Sequence, residues 1–524
     1  MNLKFSLWLC IGMAMTLFVS NEGIAADTAK IAFERVNVVD GRGGPVQPEM
    51  TVIVQDGRFT VVRPAALVSA ADLAGARRID GRGRYLMPGL VDMHVHLEGG
   101  VTVTPNGLRE ASNDRSRGAA ALASYLYSGV TSIYDAGNVP DYIFGLRNEE
   151  RAGRIAAPRI FATGGIVTYP GSHGSGPGSV DIDAWPVGRQ ALDALLERKP
   201  DVVKLTLEER GWGARPMIPA LPDELLRSII RRINEAGFRT TVHVSSELRA
   251  TQAIFAAADT LAHPVIQGPA SEQYFRLLAA KGTPVVTTLT IGENYSRLVE
   301  QPEYLDEPLY RKSLSAEQIS ALRGSTRDAW RESLWTHWMK LMTPVAMENL
   351  RKLHEAGGVL VLGTDQTLGP AVHRELELLQ QAGIPAAALT RIATLNGAIF
   401  LGRAAQAGSI EAGKEADALL LSKDPTRDIR NARRIEQVMK AGKLIDREAL
   451  PLAGRAPSCW ARRSSAATEP PLSIAPGLGA RTSGPRVWNQ NIAAKGSAES
   501  SATGSASERG SCLPRRRCQI PTSA

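Results

Sequence analysis

The chain has 524 residues, 44% of them hydrophobic and 22% charged, with a formal net charge of +8. That length and composition exclude a fibre or a wholly disordered chain and leave room for one large domain with an accessory, or for two domains. The charge does not mark a nucleic-acid surface: from residue 451 onward ten Arg or Lys stand against three acids, Lys4 is balanced by Glu22, and residues 27–450 carry only about +1.

Residues 1–26 have the three-part form of a secretory signal peptide: Lys4, the apolar run FSLWLCIGMAMTLFV, and small residues in GIAAD, with cleavage expected near Ala25 or Ala26. The apolar run is short for a bilayer span, and no later stretch is long enough for one. The expectation is an exported protein, periplasmic or secreted, with no membrane contact beyond the signal. The cysteines suit such a compartment, since Cys10, Cys459, Cys512 and Cys518 all lie outside 27–450, where neither disulfides nor thiolate ligands are available.

Residues 27–87 contain IAFERVNVVDGRGG and MTVIVQDGRFTVV, which alternate apolar and polar residues and break at DG turns, as strands do. From 88 to 397 short runs rich in Val, Ile and Thr recur: LVDMHVHL, GVTSIYDAG, PRIFATGG, DVVKLTLE, RTTVHVSS, DTLAHP, TPVVTTLT and GVLVLGTDQ. Helical spacing fills most of the intervals, for instance PDELLRSIIRRINEAGF, where Gly237 is placed as a helix stop. Eight alternations of strand and helix predict an α/β fold in which a parallel sheet closes as a (β/α)8 TIM barrel. Residues 398–450 return to strand patterns in ADALLLSKDP and EQVMKAGKLI; too short to stand alone, these are expected to join 27–87 in one small β-sandwich. Residues 451–524, rich in Ala, Ser, Gly, Pro and Arg, show no sustained period and read as a disordered tail. The abrupt change in composition there raises a shifted reading frame at the gene's end, which sequencing the 3′ end tests.

The chemistry centres on histidine, of which there are eight. His94 and His96 are two apart on the first run and would share one face near the strand's C-terminal end, where barrel active sites lie. Alone, that pair reads equally as two hydrogen-bonded core histidines. Other strand ends add Lys204 in VVKLTL, His243 in TTVHVS, His263 in LAHP and Asp365 in LGTDQ. Each has a plain account of its own; six together at the same end of one barrel are hard to explain without a metal site.

This pattern resembles the amidohydrolase superfamily: His-x-His after strand one, lysine on strand four, single histidines on strands five and six, and aspartate on strand eight. The likeness runs from about residue 30 to 450 and includes GSIEAGKEADALLLSKDP; GLVDMHVHL, GVTSIYDAG and APRIFATGG are most similar to the imidazolonepropionase-like and Xaa-Pro dipeptidase-like branch. At Tyr134 many relatives have arginine, which leaves the role of Asp135 open. The resemblance implies two divalent metal ions, commonly Zn2+. One would be held by His94, His96 and Asp365 and the other by His243 and His263, with Lys204, carboxylated by CO2, bridging them. It further implies a metal-activated hydroxide that hydrolyses an amide or peptide C–N bond of a small-molecule substrate, such as an Xaa-Pro dipeptide or N-acyl amino acid, with Asp365 relaying the proton.

Three other readings are weighed. A mononuclear deaminase wants a glutamate three residues after the strand-five histidine, whereas Glu247 follows His243 by four. A lactone or carbamate hydrolase shares the ligand set. A barrel without catalysis should lack ligands, and all six are present. For substrate contacts, Tyr169 and His173 sit on the long loop GGIVTYPGSHGSGPGS, which reads either as a cover for the site or as a surface loop. Trp330, Trp335 and Trp338 lie in an insertion at 291–356 that reads as core packing or as an aromatic lid. Asp92, two residues before His94, is expected to support it, His337, His354 and His373 are taken as non-ligands, and a homo-oligomer is left open.

Overall fold

The computed structural model describes residues 30–103, 109–210, 212 and 217–454; the signal-peptide reading and all but the first residues of the tail reading lie outside them. Five N-terminal strands come first: β1 (Ile31–Val38), β2 (Gln47–Gln55), β3 (Arg58–Pro64), β4 (Arg77–Asp80) and β5 (Tyr85–Pro88). The barrel follows as β6 (Leu90–Val95), β7 (Val130–Asp135), β8 (Arg159–Ala162), β9 (Val202–Thr206), β10 (Arg239–His243), β11 (Thr260–Leu261), β12 (Val285–Val286) and β13 (Leu360–Val361). Each corresponds to one of the eight runs seen in the sequence. Three C-terminal strands complete the chain: β14 (Ala418–Leu421), β15 (Ile435–Lys440) and β16 (Lys443–Ile445).

Parallel pairing joins β6, β7 and β8 in one sheet and β9 through β13 in another. Met93 N donates to Leu362 O at 2.9 Å and Asp365 N to His94 O at 2.7 Å, so the last strand closes on the first. Across the gap between β8 and β9, Asp201 N donates to Ala162 O and Lys204 N to Thr163 Oγ1, both at 2.9 Å. The result is the (β/α)8 barrel that the alternation implied. Every residue of β6 and β9 is buried, as expected of barrel strands covered on both faces.

The helices form for local reasons that can be read from one of them. In α1 (Asp223–Glu235) the apolar residues Leu225, Leu226, Ile229, Ile230 and Ile233 recur at helical spacing and are all buried. Asp223 and Glu224 favour its positive N-terminal end, and Gly237 ends the segment at φ +82°, a conformation that costs glycine little. None of the helices among the described residues is long and apolar enough to cross a membrane.

The two terminal segments meet where β14 pairs antiparallel with β5, Leu419 opposite Met87 and Leu420 opposite Leu86. They form one hydrogen-bonded sheet of eight strands, ordered β16-β15-β14-β5-β1-β2-β3 with β4 also on β1. Alternation along β14 gives the sheet its two jobs. Ala418 and Leu420 pack with Phe33, Val52 and Phe59 in the sandwich core, whereas Leu419 and Leu421 point the other way into the barrel's apolar cluster.

At the barrel closure there is no spare room. A Cβ on Gly363 would lie 2.3 Å from Val286 Cγ1 and 3.0 Å from His94 Cβ. Gly363→Ala is therefore expected to destabilise by about 1–3 kcal/mol, the usual cost of overfilling a packed core. Thermal unfolding should show it as a lowered midpoint, while Gly44→Ala, whose Cβ would meet nothing within 4 Å, should unfold like the wild type.

Candidate metal centre

Parallel strands of a barrel all end on the same side, so residues far apart in sequence converge there. His94 is the penultimate residue of β6, His96 lies one residue past it, and Asp365 lies just beyond β13. Asp365 adopts φ +53°, a left-handed conformation that aspartate tolerates better than most side chains. His94 Nδ1 is 3.0 Å from the Ala262 carbonyl oxygen and His96 Nδ1 is 2.8 Å from that of Gly137. A carbonyl only accepts, so both rings carry a proton on Nδ1, and in His94, kept neutral by burial, Nε2 presents a lone pair.

Asp365 Oδ1 stands 3.3 Å from His96 Nε2 and 3.7 Å from His94 Nε2. The ligand atoms of these three residues all fall within 4.8 Å of one another. His94 is kept neutral by burial, so its Nε2 turns a lone pair toward the Asp365 oxygen. Such a set is stabilised by a cation at its centre, which is what a metal site supplies.

Next to it lies a second group. His243 is the last residue of β10, His263 follows β11 by two residues, and Lys204 is central on β9. The rings of His94 and His263 are 4.5 Å apart, as are those of His243 and His263, and Lys204 Nζ is 3.1 Å from His94 Nε2. His263 Nδ1 is 2.9 Å from Thr288 Oγ1, which fixes the orientation of the ring. His243 Nε2 is buried with no hydrogen-bond partner among the described residues. Desolvation by burial, reinforced by Lys204 and the neighbouring rings, keeps the pKa of His94, His243 and His263 well below the usual imidazole value. They are therefore in the neutral form that ligates metals. All six sequence-predicted residues thus face one end of the barrel, with Lys204, His243 and His263 at most 2% exposed and His96 the most open at 31%.

Asp92 supports His94 through the backbone: its Oδ1 accepts from His94 N at 3.4 Å, and its carboxylate also accepts from Thr364 N at 3.0 Å and Thr364 Oγ1 at 2.7 Å, fixing the residue beside Asp365. Asp135, whose part was open, accepts from Leu97 N, Gly137 N and Asn138 Nδ2 at 2.9–3.1 Å and so shapes the loop whose carbonyl holds His96. Tyr134 donates to Val202 O at 3.0 Å and packs on Phe400. Of the two loop residues, His173 stacks on His243 at 4.2 Å, whereas Tyr169 packs against the barrel's apolar cluster. His337 contacts the Arg331 carbonyl, and His373 bonds to Ser128 O at 2.9 Å.

Two residues at the site escaped the sequence reading. Trp212 is buried with its ring 4.4 Å from that of His263 and 5.0 Å from that of His243. Its carbonyl accepts from Trp338 Nε1 at 2.6 Å and Trp335 lies 6.0 Å away, so the insertion's tryptophans join the site through it. Glu208 is buried two residues past β9, where it accepts from Ser245 Oγ and from Arg210 N at 2.7 Å, and its Oε2 is 3.7 Å from His243 Nε2. The available signal was position, since both follow a barrel strand at its C-terminal end. Glu247, by contrast, is spent on Ser271, accepting from its N at 2.7 Å and its Oγ at 2.6 Å.

A model of the amidohydrolase family matches residues 85–445, which include all six residues. An imidazolonepropionase from Geobacillus sp. (strain WCH70) is 24% identical over 409 residues, 71% of this chain and 83% of that protein. An adenine deaminase from Paracoccus denitrificans (strain Pd 1222) is 42% identical, but over only 66 residues, 13% of this chain and 11% of that one. For most of the curated relatives the matched stretch spans about half of their length or less, 51% in an imidazolonepropionase from Paenarthrobacter aurescens (strain TC1). Among solved structures, a Xaa-Pro dipeptidase with bound methionine in its active site superposes with a TM-score of 0.64 at 21% identity, covering 79% of this chain and 99% of that one. This last likeness is one of fold.

Burial lowers the pKa of His373 from 6.5 to about 3. The unfolded chain binds a proton there as pH falls through 6.5, and the folded chain does not until near 3, so stability is full above 6.5 and is lost progressively below it. Urea unfolding between pH 7 and 4 should show a shallower decline for His373→Asn, by up to about 1.4 kcal/mol per pH unit.

Proposed function

Because the chain belongs to the amidohydrolase family, we propose that it is a metal-dependent hydrolase cleaving an amide or peptide C–N bond in a small substrate. Xaa-Pro dipeptides and N-acyl amino acids are the substrates of first choice. The observation that carries this reading is the convergence of His94, His96 and Asp365 on one point, with Lys204 Nζ 3.1 Å from His94 Nε2 and two neutral imidazoles beside it. His94, His96 and Asp365 would hold one divalent ion and His243 and His263 a second, Zn2+ suiting the imidazole ligands. CO2 adding to the Lys204 nitrogen would form an N–C bond with loss of a proton from that nitrogen, and the carbamate would offer the ions two oxygens sharing one negative charge. When bound, the ions supply Lewis acidity and an acidified water.

The protein's own groups do the rest. The carbonyls of Ala262 and Gly137 keep His94 and His96 in one tautomer, so Nε2 is always the ligand atom. Asp365, with one oxygen near the Nε2 atoms of His94 and His96, would take the proton of the attacking water and pass it to the leaving nitrogen. An amide nitrogen leaves poorly unless it is protonated. Trp212 supports an apolar side chain near His263, and His173 a polar group near His243. A deaminase wants a glutamate three residues after His243, where Ser246 stands, and the neighbouring Glu247 is engaged by Ser271, which weighs against that reading. Export follows from the signal peptide, and N-terminal sequencing of the mature protein tests it.

Zn2+-loaded protein screened against dipeptides, N-acyl amino acids, aryl amides, carbamates, lactones and adenine should hydrolyse an amide fastest. Activity confined to lactones, or ammonia release from adenine alone, would sink the assignment. Lys204→Ala should lose most bound metal and activity, with part restored by short carboxylic acids; full activity would refute the bridging role. Asp365→Asn keeps a residue that tolerates positive φ, so it should fold normally while kcat falls by about 10²–10⁴; an unchanged kcat would remove Asp365 from proton transfer.

A further inference from the structure

The segment that follows β12 departs from ordinary helix chemistry. Thr288 is the N-cap of α2 (Leu289–Glu300), a position where a threonine hydroxyl normally accepts from its own helix. Here it makes no such bond. The hydroxyl is turned instead to Nδ1 of His263, 2.9 Å away. Thr288 holds a left-handed backbone, φ +38° and ψ +39°, which is unusual for a β-branched residue and has to be enforced by its surroundings.

The missing cap comes from another helix. Glu375 on α3 (Ala371–Gln381) is fully buried, and its two oxygens accept separately from Leu289 N at 2.8 Å and Thr290 N at 2.7 Å. Thr290 Oγ1 lies 2.9 Å from Glu375 Oε2 and donates to Thr364 O at 2.8 Å, one residue from Asp365. Thr288 N donates to Gly363 O at 3.0 Å. A carboxylate from one helix therefore replaces the cap that Thr288 would otherwise provide, and the threonine hydroxyl is released for the histidine.

We propose that Glu375 and Thr288 act together as positioning residues for His263, Glu375 clamping the start of α2 so that the Thr288 hydroxyl holds Nδ1, sets the ring's orientation and aims Nε2 at the second metal. This rests on the reading of His263 as a ligand. The two ions should then respond unequally. Thr288→Val keeps shape but loses the hydroxyl, and Thr288→Ser keeps the hydroxyl. Glu375→Gln offers one acceptor where two N–H groups need one each, and sets an amide N–H against the other.

The test is Zn2+ content by elemental analysis across a chelator titration, with thermal unfolding of the metal-free proteins alongside and His263→Asn as reference. Expected is loss of one ion in His263→Asn, and an affinity for that ion weakened about 10- to 100-fold in Thr288→Val and Glu375→Gln. The other ion should be retained and Thr288→Ser should restore binding. Wild-type affinity in Thr288→Val while His263→Asn loses an ion would overturn the positioning role alone. Equal weakening of both ions together with a lowered unfolding midpoint would also overturn it, since that marks a merely structural residue. Unchanged metal content in His263→Asn would overturn the two-ion reading and the inference with it.

Discussion

Packing four imidazoles and a lysine into the end of an apolar barrel is costly unless each polar atom has a partner or a cation to face. Much of the structure at that end of the barrel answers this demand. The Nδ1 atoms of His94, His96 and His263 are each tied to a fixed oxygen, from Ala262, Gly137 and Thr288. The other ring nitrogens of His94 and His96 turn inward beside Asp365, and that convergence makes the end of the barrel a candidate metal centre.

The supporting residues are as buried as the ligands they serve. Asp92 holds Thr364 beside Asp365, Asp135 shapes the loop behind His96, and Glu375 clamps the helix start behind His263. All three are carboxylates with raised pKa values, Asp92 to about 8 and Glu375 to about 7, because burial outweighs the hydrogen bonds they accept. Each acts on backbone rather than on an imidazole ring. The centre is thus positioned through the strand-end loops, so small shifts there reach the ligands directly.

Access is uneven. Lys204, His243 and His263 lie beneath Trp212, whereas His96 and Asp365 are partly open. A substrate would meet the His96 side first and lay an apolar group against tryptophan on the other. The insertion's helices matter to the site chiefly because Trp338 and Trp335 hold Trp212 in place.

How much of this was readable in advance depends on whether the information is local. The eight strand runs, the alternation with helices and the six residues gathered at one end of the barrel could be read from the chain, because hydrophobic period and the chemistry of His, Lys and Asp at strand ends are properties of short segments. The pairing of β5 with β14 was anticipated only as two halves needing each other; its register required both. Asp92 shows the limit. Its spacing of two from His94 placed it on the correct face, and it does accept from His94 N, but nothing local announces its shorter bonds to Thr364, 272 residues away. Trp212 and Glu208 carried only the weak signal of following a barrel strand at its C-terminal end, and Glu375, within a helix, carried none. The sequence by itself determined which residues could ligate metal and that a barrel would gather them. Only the tertiary structure decided which atom of each ring faces the centre and what holds it there, because hydrogen-bond partners are chosen by proximity in space, across elements that the chain keeps far apart.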